Sequence, residues 1–285
     1  MESTVEKIEE CKIALKELKY VKEFASGGYS VISKASLKGR PVVLRQVKPE
    51  ARFKARTKKR FLEGVKIRRE CGKHDHIVHY LGHANPLLGL PYEIIEYVDG
   101  KNLREAMVRK DYMLNKYRAF ILQQCMMGLM QVHQSGYLHL DIKPENFIMY
   151  VENDRPMIKL TDFDLSLPIN LRKAPDKFGG SLNYMAPEFL ERKEISPSTD
   201  IFALGVLAYQ MYTGRMPFTD TVQELIDNNY RFSYPYELEN VLTQEIKEFI
   251  ETCMARRSQD RYQDSGQMYV ALENIKRQEM RQAAR

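Results

Sequence analysis

A carboxylate, a cation and an amide lie close together in the segment His139-Leu140-Asp141-Ile142-Lys143-Pro144-Glu145-Asn146. Asp141 can accept or orient the proton of an attacking hydroxyl, and Lys143 can place a positive charge beside a phosphoryl group in transfer. The side-chain carbonyl of Asn146 is a hard oxygen ligand of the kind that Mg²⁺ prefers, and Asp162 adds a carboxylate that can bridge Mg²⁺ to phosphates. These side chains predict transfer of a phosphoryl group to a hydroxyl.

The elements that must position these side chains change in character along the chain. Between Tyr20 and Tyr97, short β-branched segments alternate with Gly-containing turns, and a basic stretch at 51–71 has helical spacing. After Asp99-Gly100 the pattern is mostly helical, with candidates at 103–109 and 118–135. A β-rich part followed by a helical part predicts an α+β chain with two lobes.

The same patterns predict where each part begins and ends. We expect a helical extension over residues 1–19, a small β-rich N-lobe over 20–98, a larger helical C-lobe over 99–275 and a basic tail over 276–285. The longest apolar run, 201–212, is too short to span a bilayer and is typical of a buried core helix. We therefore expect no membrane segment in this chain.

Five motifs, in order, resemble those of eukaryotic-type protein kinases. They are the catalytic loop at 139–146, the D-F-G-like turn Thr161–Asp164, the Ala-Pro-Glu segment at 184–188, the buried helix beginning at 200–205, and Arg261. The resemblance extends from about Tyr20 to Arg261 and implies a bilobal protein-kinase-like fold. It also implies ATP and Mg²⁺ as cofactors, and an ion pair between Glu188 and Arg261.

The resemblance further assigns residues to the cofactors. Glu96-Tyr97-Val98 resembles the hinge that binds adenine through backbone groups, with Ile95 in the gatekeeper position. The positions implied for nucleotide binding are Ala25, Gly27, Gly28, Ile32, Val43, Arg45, Ile95, Glu96 and Val98. Those implied for metal binding are Asn146 and Asp162.

Two motifs are similar to the Ser/Thr-directed members of the family. Lys143-Pro144-Glu145-Asn146 resembles their form of the catalytic loop, and Gly180-Ser181 resembles a Gly-Thr pair, which places Ser181 with Asp141 and Lys143 in the catalytic group. The resemblance thus implies transfer of the ATP γ-phosphoryl group to a Ser or Thr hydroxyl of a protein.

Three of the departures from the family pattern support an alternative. Arg45 takes the place of the strand lysine, and a guanidinium is a broad planar fork, whereas an ammonium is a compact charge. The glycine-rich loop keeps only Gly27 of its three glycines, and Asp164 replaces the glycine of D-F-G, where positive φ is expected. Two functions stay open: a kinase of reduced activity, or a pseudokinase that binds nucleotide or acts as a scaffold.

The helix glutamate that pairs with the strand cation in this family has two candidate positions. Counting back from His74-x-x-Ile77-Val78 at the usual spacing reaches Val65, whereas Glu63 lies two residues earlier. An insertion near Cys71-Gly72-Lys73 would place Glu63 correctly. We favour Glu63 as the partner of Arg45.

Charge and cysteine content bear on partners and location. The net charge is +6, and residues 34–73 contain fifteen Lys and Arg against three Glu. A solvated face beside a nucleotide site is the favoured interpretation, an acidic partner is the alternative, and the lack of a nucleic-acid motif disfavours nucleic acid. The cysteines form no C-x-x-C pair, so we expect a cytoplasmic protein.

Leu140 replaces the arginine that in this family receives an activation-loop phosphate. We therefore predict that no phosphosite between Asp162 and Glu188 controls activity, because the side chain that would bind the phosphate is absent. Mass spectrometry of the active protein should find none. Loss of activity on phosphatase treatment through such a site would contradict this prediction.

Overall fold

The computed structural model describes residues 13–27, 30–51, 53–86, 89–175, 179–218, 221–238, 241–263 and 265–283. Its contacts divide the chain into two compact units, one of Met1–His74 with Val78–Asp99 and one of Asp75–Ile77 with Gly100–Arg285. Most of the extension predicted at 1–19, and Gly28, lie outside the described residues. Among the described helices, none has the length and apolar character needed to cross a membrane.

The described residues of the first unit form an antiparallel sheet and one α-helix. Its elements are β1 (Leu18–Ser26), β2 (Ser30–Leu37), β3 (Arg40–Val47), α1 (Ala55–Glu70), β4 (Tyr80–Ala84) and β5 (Tyr92–Glu96). The strand order is β1-β2-β3-β5-β4, so β3 lies at the centre. Strand β4 begins at Tyr80, since Ile77 belongs to the second unit and forms a bridge there with Leu160.

The central strand β3 is buried on both faces. Val42 and Leu44 pack into one core cluster, whereas Val47 packs against Phe61 and Val65 of α1 in another. Side chains two residues apart in a strand share a face. Arg45 therefore points to the face of β3 that carries Val47, which is the face covered by α1.

The second unit is mostly helical and carries two small sheets. Its elements are β6 (Lys101–Asn102), α2 (Leu103–Val108), α3 (Tyr112–Lys116), α4 (Arg118–Gln134), β7 (Tyr137–Leu138), β8 (Phe147–Glu152), β9 (Arg155–Leu160), β10 (Leu167–Pro168), α5 (Pro187–Arg192), α6 (Pro197–Thr213), α7 (Val222–Asp227), α8 (Gln244–Cys253) and α9 (Ser265–Ala283). One sheet has the order β6-β8-β9, and β7 pairs with β10. Asp141, Lys143 and Asn146 lie on the segment that leaves β7, Asp162 lies on the segment that leaves β9, and Ser181 lies between β10 and α5.

Helix α6 forms the core of this unit and contains the apolar run at 201–212. Ser196 precedes it as an N-cap, Pro197 occupies its first turn, and Gly214 ends it with φ of +70°. All residues from Thr199 to Met211 are buried. A helix that is apolar all round must be enclosed by protein, and α6 accordingly packs against α4 and α8.

The predicted tail at 276–285 is not a separate element, because α9 continues through Ala283. Lys276 Nζ contacts Gln123 Oε1 of α4 at 3.3 Å. Glu279 accepts hydrogen bonds from the Tyr212 hydroxyl at 2.6 Å and from the Ala119 amide at 3.1 Å. These contacts fix the last turns of α9 against α4 and α6, and sequence periodicity could not reveal them.

Replacement of Gly205 by alanine should destabilise the second unit by about 1–3 kcal/mol, although alanine is the better helix former. The added Cβ would lie 2.6 Å from Cys253 Cβ and 2.7 Å from Met254 Cγ, so α6 and the end of α8 must move apart. Urea unfolding measures the loss. Gly266→Ala, in the exposed first turn of α9, is the control and should stay within about 0.5 kcal/mol of wild type. Equal stability of both variants would contradict the close packing.

Candidate active site

The catalytic loop between β7 and β8 is held by a carboxylate of the buried helix α6. Asp200 accepts hydrogen bonds from the backbone amides of His139, at 2.9 Å, and Leu140, at 2.7 Å. His133 Nε2 lies 2.8 Å from the same carboxylate. Leu140 has φ of +60°, a conformation that is unfavourable for leucine, so it needs such fixed partners.

His139 connects the catalytic loop to the segment that follows β9. Burial lowers the pKa of His139, so the ring is neutral. Its Nδ1 accepts from the Asp141 amide at 3.3 Å, which leaves Nε2 to donate to the Thr161 carbonyl at 3.2 Å. This tautomer places Asp141 and Thr161, which precedes Asp162, on one fixed ring.

Asp141 is buried, and its two carboxylate oxygens differ. Oδ2 contacts Lys143 Nζ at 2.7 Å and accepts from Asn146 Nδ2 at 2.9 Å. Oδ1 is buried and has no hydrogen-bond partner among the described residues. A buried oxygen without a partner is costly to maintain, so such an atom marks a place where a ligand's proton would be accepted.

Asn146 and Asp162 have the chemistry of metal ligands. Asn146 donates its amide hydrogens to the carbonyl and Oδ2 of Asp141, which leaves its Oδ1 to accept. Asp162 has φ of +63°, and its Oδ1 lies 3.4 Å from the Asp164 amide. Among the described residues there is no group of three or more His, Cys, Asp or Glu that could hold a metal. An Asn–Asp pair suits Mg²⁺, which takes its remaining ligands from water and phosphate.

Asp164 does not adopt the conformation expected at this position. Asp162 has a positive φ, whereas Asp164 does not. The loss of glycine at 164 therefore introduces no left-handed backbone strain. At position 164, the difference from the family pattern that remains is the negative charge that Asp164 adds beside Asp162.

Leu140 contacts apolar residues at the position where the family pattern has an arginine. It packs against a buried cluster formed by Leu138, Ala174, Phe189 and Ile195. The Ala174 amide donates to the Lys193 carbonyl at 2.9 Å, and the Ile195 amide donates to the Arg172 carbonyl at 3.0 Å. Apolar burial and backbone pairing thus fix this part of the activation segment, by which we mean the residues from Asp162 to Glu188.

Two hydroxyl groups of the activation segment are buried. Ser166 Oγ donates to the His139 carbonyl at 3.2 Å. The Tyr184 hydroxyl donates to Gln210 at 2.7 Å and accepts from Arg104 at 2.8 Å, and burial raises the pKa of Tyr184 to about 12. Neither hydroxyl is placed to receive a phosphate without local opening.

The expected ion pair between Glu188 and Arg261 is present in the geometry. The Arg261 guanidinium reaches both Glu188 oxygens, at 2.9 and 2.8 Å, and the pair is buried. Thr199 Oγ1 also donates to Glu188 at 3.0 Å. This network connects α5 and α6 to the segment before α9. Ser181 lines the same small cavity as Asp141 and Asp200, but its hydroxyl makes no hydrogen bond among the described residues.

Six of the residues predicted to bind nucleotide lie on strands of the first unit: Ala25 on β1, Ile32 on β2, Val43 and Arg45 on β3, and Ile95 and Glu96 on β5. Val43 pairs with Ile95, and Ile32 pairs with both Ala25 and Arg45. The Gly27 amide donates to the Ser30 carbonyl at 2.9 Å. Glu96 is held by its neighbour, because its Oε1 accepts from the His79 amide at 2.6 Å. Val98 follows β5 at the end of the unit.

Arg45 contacts a different glutamate from the one that the sequence predicted. Its Nη1 lies 2.7 Å from Glu93 Oε2, and Arg68 Nε of α1 lies 2.8 Å from Glu93 Oε1. Glu63 is 52% exposed and lies near Lys59 at 3.8 Å. The prediction that Glu63 pairs with Arg45 is wrong for this structure, because Glu63 faces outward whereas Val65 and Arg68 occupy the buried face of α1.

Sequence reasoning missed Glu93, Arg68 and Asp200 as functional residues. A signal existed for Glu93, since an acidic residue in an otherwise apolar strand suggests a buried partner. Arg68 follows Phe61 and Val65 at helical spacing, which would have placed it on the inner face. Asp200 stands in the recognised helix motif, but its role depends on contacts distant in sequence.

Replacement of Asp200 by asparagine should destabilise the chain by about 1–3 kcal/mol, because one of the two loop amides would face an NH₂ group. Urea unfolding measures the change. The control is Asp227→Asn on the exposed end of α7, where the expected change is within about 0.5 kcal/mol. An unchanged unfolding midpoint in Asp200→Asn would show that α6 does not hold the loop.

Comparison with known proteins agrees with this geometry. The model of the protein kinase domain family matches residues 18–275. Myosin light chain kinase 2 of Bos taurus is 28% identical over 194 residues, which cover 63% of this chain and 31% of that protein. The probable serine/threonine-protein kinase pknA2 of Bifidobacterium longum is 29% identical over 207 residues, covering 70% and 26%. Myosin light chain kinase family member 4 of Homo sapiens is 31% identical over 199 residues, covering 66% and 51%.

The chain spans about a third of the length of the first of these relatives. The family match, in contrast, includes nearly all of the described residues. The chain belongs to the protein kinase domain family.

Proposed function

We propose that this chain is a protein serine/threonine kinase that transfers the γ-phosphoryl group of ATP to a protein hydroxyl. The observation that carries the proposal is the Asp141 carboxylate, in which Lys143 and Asn146 hold Oδ2 while Oδ1 is buried and has no partner in the part of the chain that the structure describes. A base used in phosphoryl transfer must be fixed in place and able to accept one proton. The names of the matched relatives agree with this reaction.

In the second unit, the roles divide among few residues. Asp141 Oδ1 accepts or orients the proton of the substrate hydroxyl. Lys143 neutralises Asp141 at rest and offers its charge to the phosphoryl group. Asn146 Oδ1 and Asp162 would hold Mg²⁺, which when bound neutralises phosphate charge. We assign Ser181 a role in orienting the substrate, because it lies on the cavity wall that contains Asp141.

In the first unit, we assign nucleotide binding to the positions that the resemblance implied. Arg45 would bind phosphate, and the backbone around Glu96 and Val98 would bind adenine. The family generally uses ATP and Mg²⁺, and the Asn–Asp ligand pair suits that metal. Gly27 and the backbone of the loop that it begins would approach the phosphates.

The pseudokinase alternative depends on Arg45, on Asp164 and on the glycine-rich loop that keeps only Gly27 of the family's three glycines. Arg45 is anchored by a buried carboxylate, and Asp164 needs no positive φ. Neither substitution disturbs the arrangement of Asp141, Lys143 and Asn146. The observations therefore favour the enzyme.

The partner and location of the protein follow from this function as further proposals. The substrate is a protein with a Ser or Thr acceptor, and the place of action is the cytoplasm. The acidic partner of the 34–73 region stays a prediction. On α1, Lys59 lies 3.8 Å from Glu63 and Lys66 lies 3.8 Å from Glu70, and these exposed pairs agree with a solvated face.

Replacement of Asp141 by asparagine should lower the rate of phosphate transfer by about 10²- to 10⁴-fold, because the amide cannot accept the hydroxyl proton. Transfer of label from γ-labelled ATP, with Mg²⁺ and a Ser/Thr substrate protein, measures the rate. The matched control is Asp227→Asn, which removes a distant exposed carboxylate. An Asp141→Asn rate equal to wild type would disprove the assignment of phosphate transfer to this site.

A further inference from the structure

The first unit contains a buried cluster of two arginines and one glutamate. Glu93 is 0% exposed, Arg68 is 1% exposed and Arg45 is 5% exposed. Each oxygen of Glu93 receives one guanidinium, with Arg45 Nη1 at 2.7 Å from Oε2 and Arg68 Nε at 2.8 Å from Oε1. Arg68 Nη1 also donates to the Val78 carbonyl at 3.3 Å. One carboxylate thus joins β3, β5 and α1.

The backbone fixes the position of each member. Arg45 and Glu93 are directly opposite each other in the ladder between β3 and β5, which brings their side chains together on one face. Arg68 shares the inner face of α1 with Phe61 and Val65, which pack against Val47 of β3. Arg45, two residues before Val47, points to that same face.

The order of charges differs from the order that the sequence predicted. The expected pair joins a cation on the strand to a glutamate on the helix. In this chain the helix supplies a second cation, Arg68, and the glutamate comes from β5. Taking charges out of water is costly, and a buried ionic cluster contributes little net stability compared with apolar residues. Its clear physical effect is to fix the direction of a side chain.

We propose that Glu93 is the positioning residue for Arg45. Through Arg68, this positioning depends on where α1 packs against the sheet. The inference rests on the proposed function, in which Arg45 binds phosphate. A guanidinium has several N–H donors in a rigid fork, so it can bond Glu93 through Nη1 while the fork keeps its direction. Glu63, half exposed on the outer face of α1, has no part in this arrangement.

Because Arg45 and Arg68 share the Glu93 carboxylate, we expect the three residues to differ in how much stability is lost when each is replaced. Removing the charge of Glu93 leaves two buried guanidiniums without their common counter-ion. Removing Arg45 or Arg68 leaves one arginine paired with one glutamate. Glu93→Gln should therefore cost more stability than Arg45→Met, and Arg45→Met should relieve part of the cost of Glu93→Gln.

A double-mutant cycle tests the coupling in the absence of nucleotide. The variants are Glu93→Gln, Arg45→Met and the double variant, with Glu63→Gln as the matched control. Urea unfolding should show a large fall in the midpoint for Glu93→Gln and no change for Glu63→Gln. The double variant should lose less stability than the sum of the losses in the two single variants. Additive losses, or a fall for Glu63→Gln equal to that for Glu93→Gln, would overturn the inference.

The same variants, compared well below their unfolding temperatures, separate positioning from bulk stability. Glu93→Gln should raise the dissociation constant for MgATP and lower kcat/KM by about 10-fold or more in the wild-type background, but by less than about twofold in the Arg45→Met background. Glu63→Gln should stay within about twofold of wild type. A purely structural Glu93 would change both backgrounds equally, which would refute positioning.

The outcomes also separate this inference from the proposed function. A wild type that transfers no phosphate, but whose MgATP affinity depends on Glu93 through Arg45, would refute the proposed function and leave the inference intact. An active wild type whose MgATP affinity and kcat/KM are unaffected by Glu93→Gln would do the opposite. Should Glu93→Gln fail to fold, Arg68→Met tests the same link, because it keeps the Arg45–Glu93 pair neutral and should change only the coupling to α1.

Discussion

The hydrogen bonds from the catalytic loop to Asp200 are the interaction on which the second unit depends. The loop must leave β7, position the buried Asp141 and return to β8, and at Leu140 this path requires a left-handed backbone. Such a conformation persists only where the surrounding structure determines it. Asp200 does so from the buried helix α6. Its carboxylate therefore connects the core of the unit to the loop that carries Asp141.

Each unit contains a buried glutamate whose two oxygens are both paired with arginine. Glu188 faces one arginine through two oxygens, and Glu93 faces two arginines through one oxygen each. Asp141 differs, because one of its oxygens has no partner among the described residues. Of these three carboxylates, the two that connect elements of the fold have both oxygens paired, and the one proposed as the base has one oxygen without a partner in the described part of the chain.

The motifs of the second unit could be predicted because they are local. Asp141, Lys143 and Asn146 lie within one loop, and the structure brings them into direct contact. The partner of Arg45 could not be predicted by counting along the helix, since it lies on a strand far away in sequence and is chosen by sheet register. Residue type and spacing favoured Glu63. A side chain of α1 can reach Arg45 only from the buried face of the helix, and Glu63 is not on that face.

The family match ends at residue 275, but helix α9 continues to Ala283 and carries Glu279 against the start of α4. The first amides of a helix have no partner within it, and this carboxylate supplies one for Ala119 while also binding Tyr212. A shortened chain that stops where the recognisable pattern stops would expose the beginning of α4 and the end of α6. The family match therefore ends before the packing does, because Lys276 and Glu279 lie beyond it and contact residues of α4 and α6.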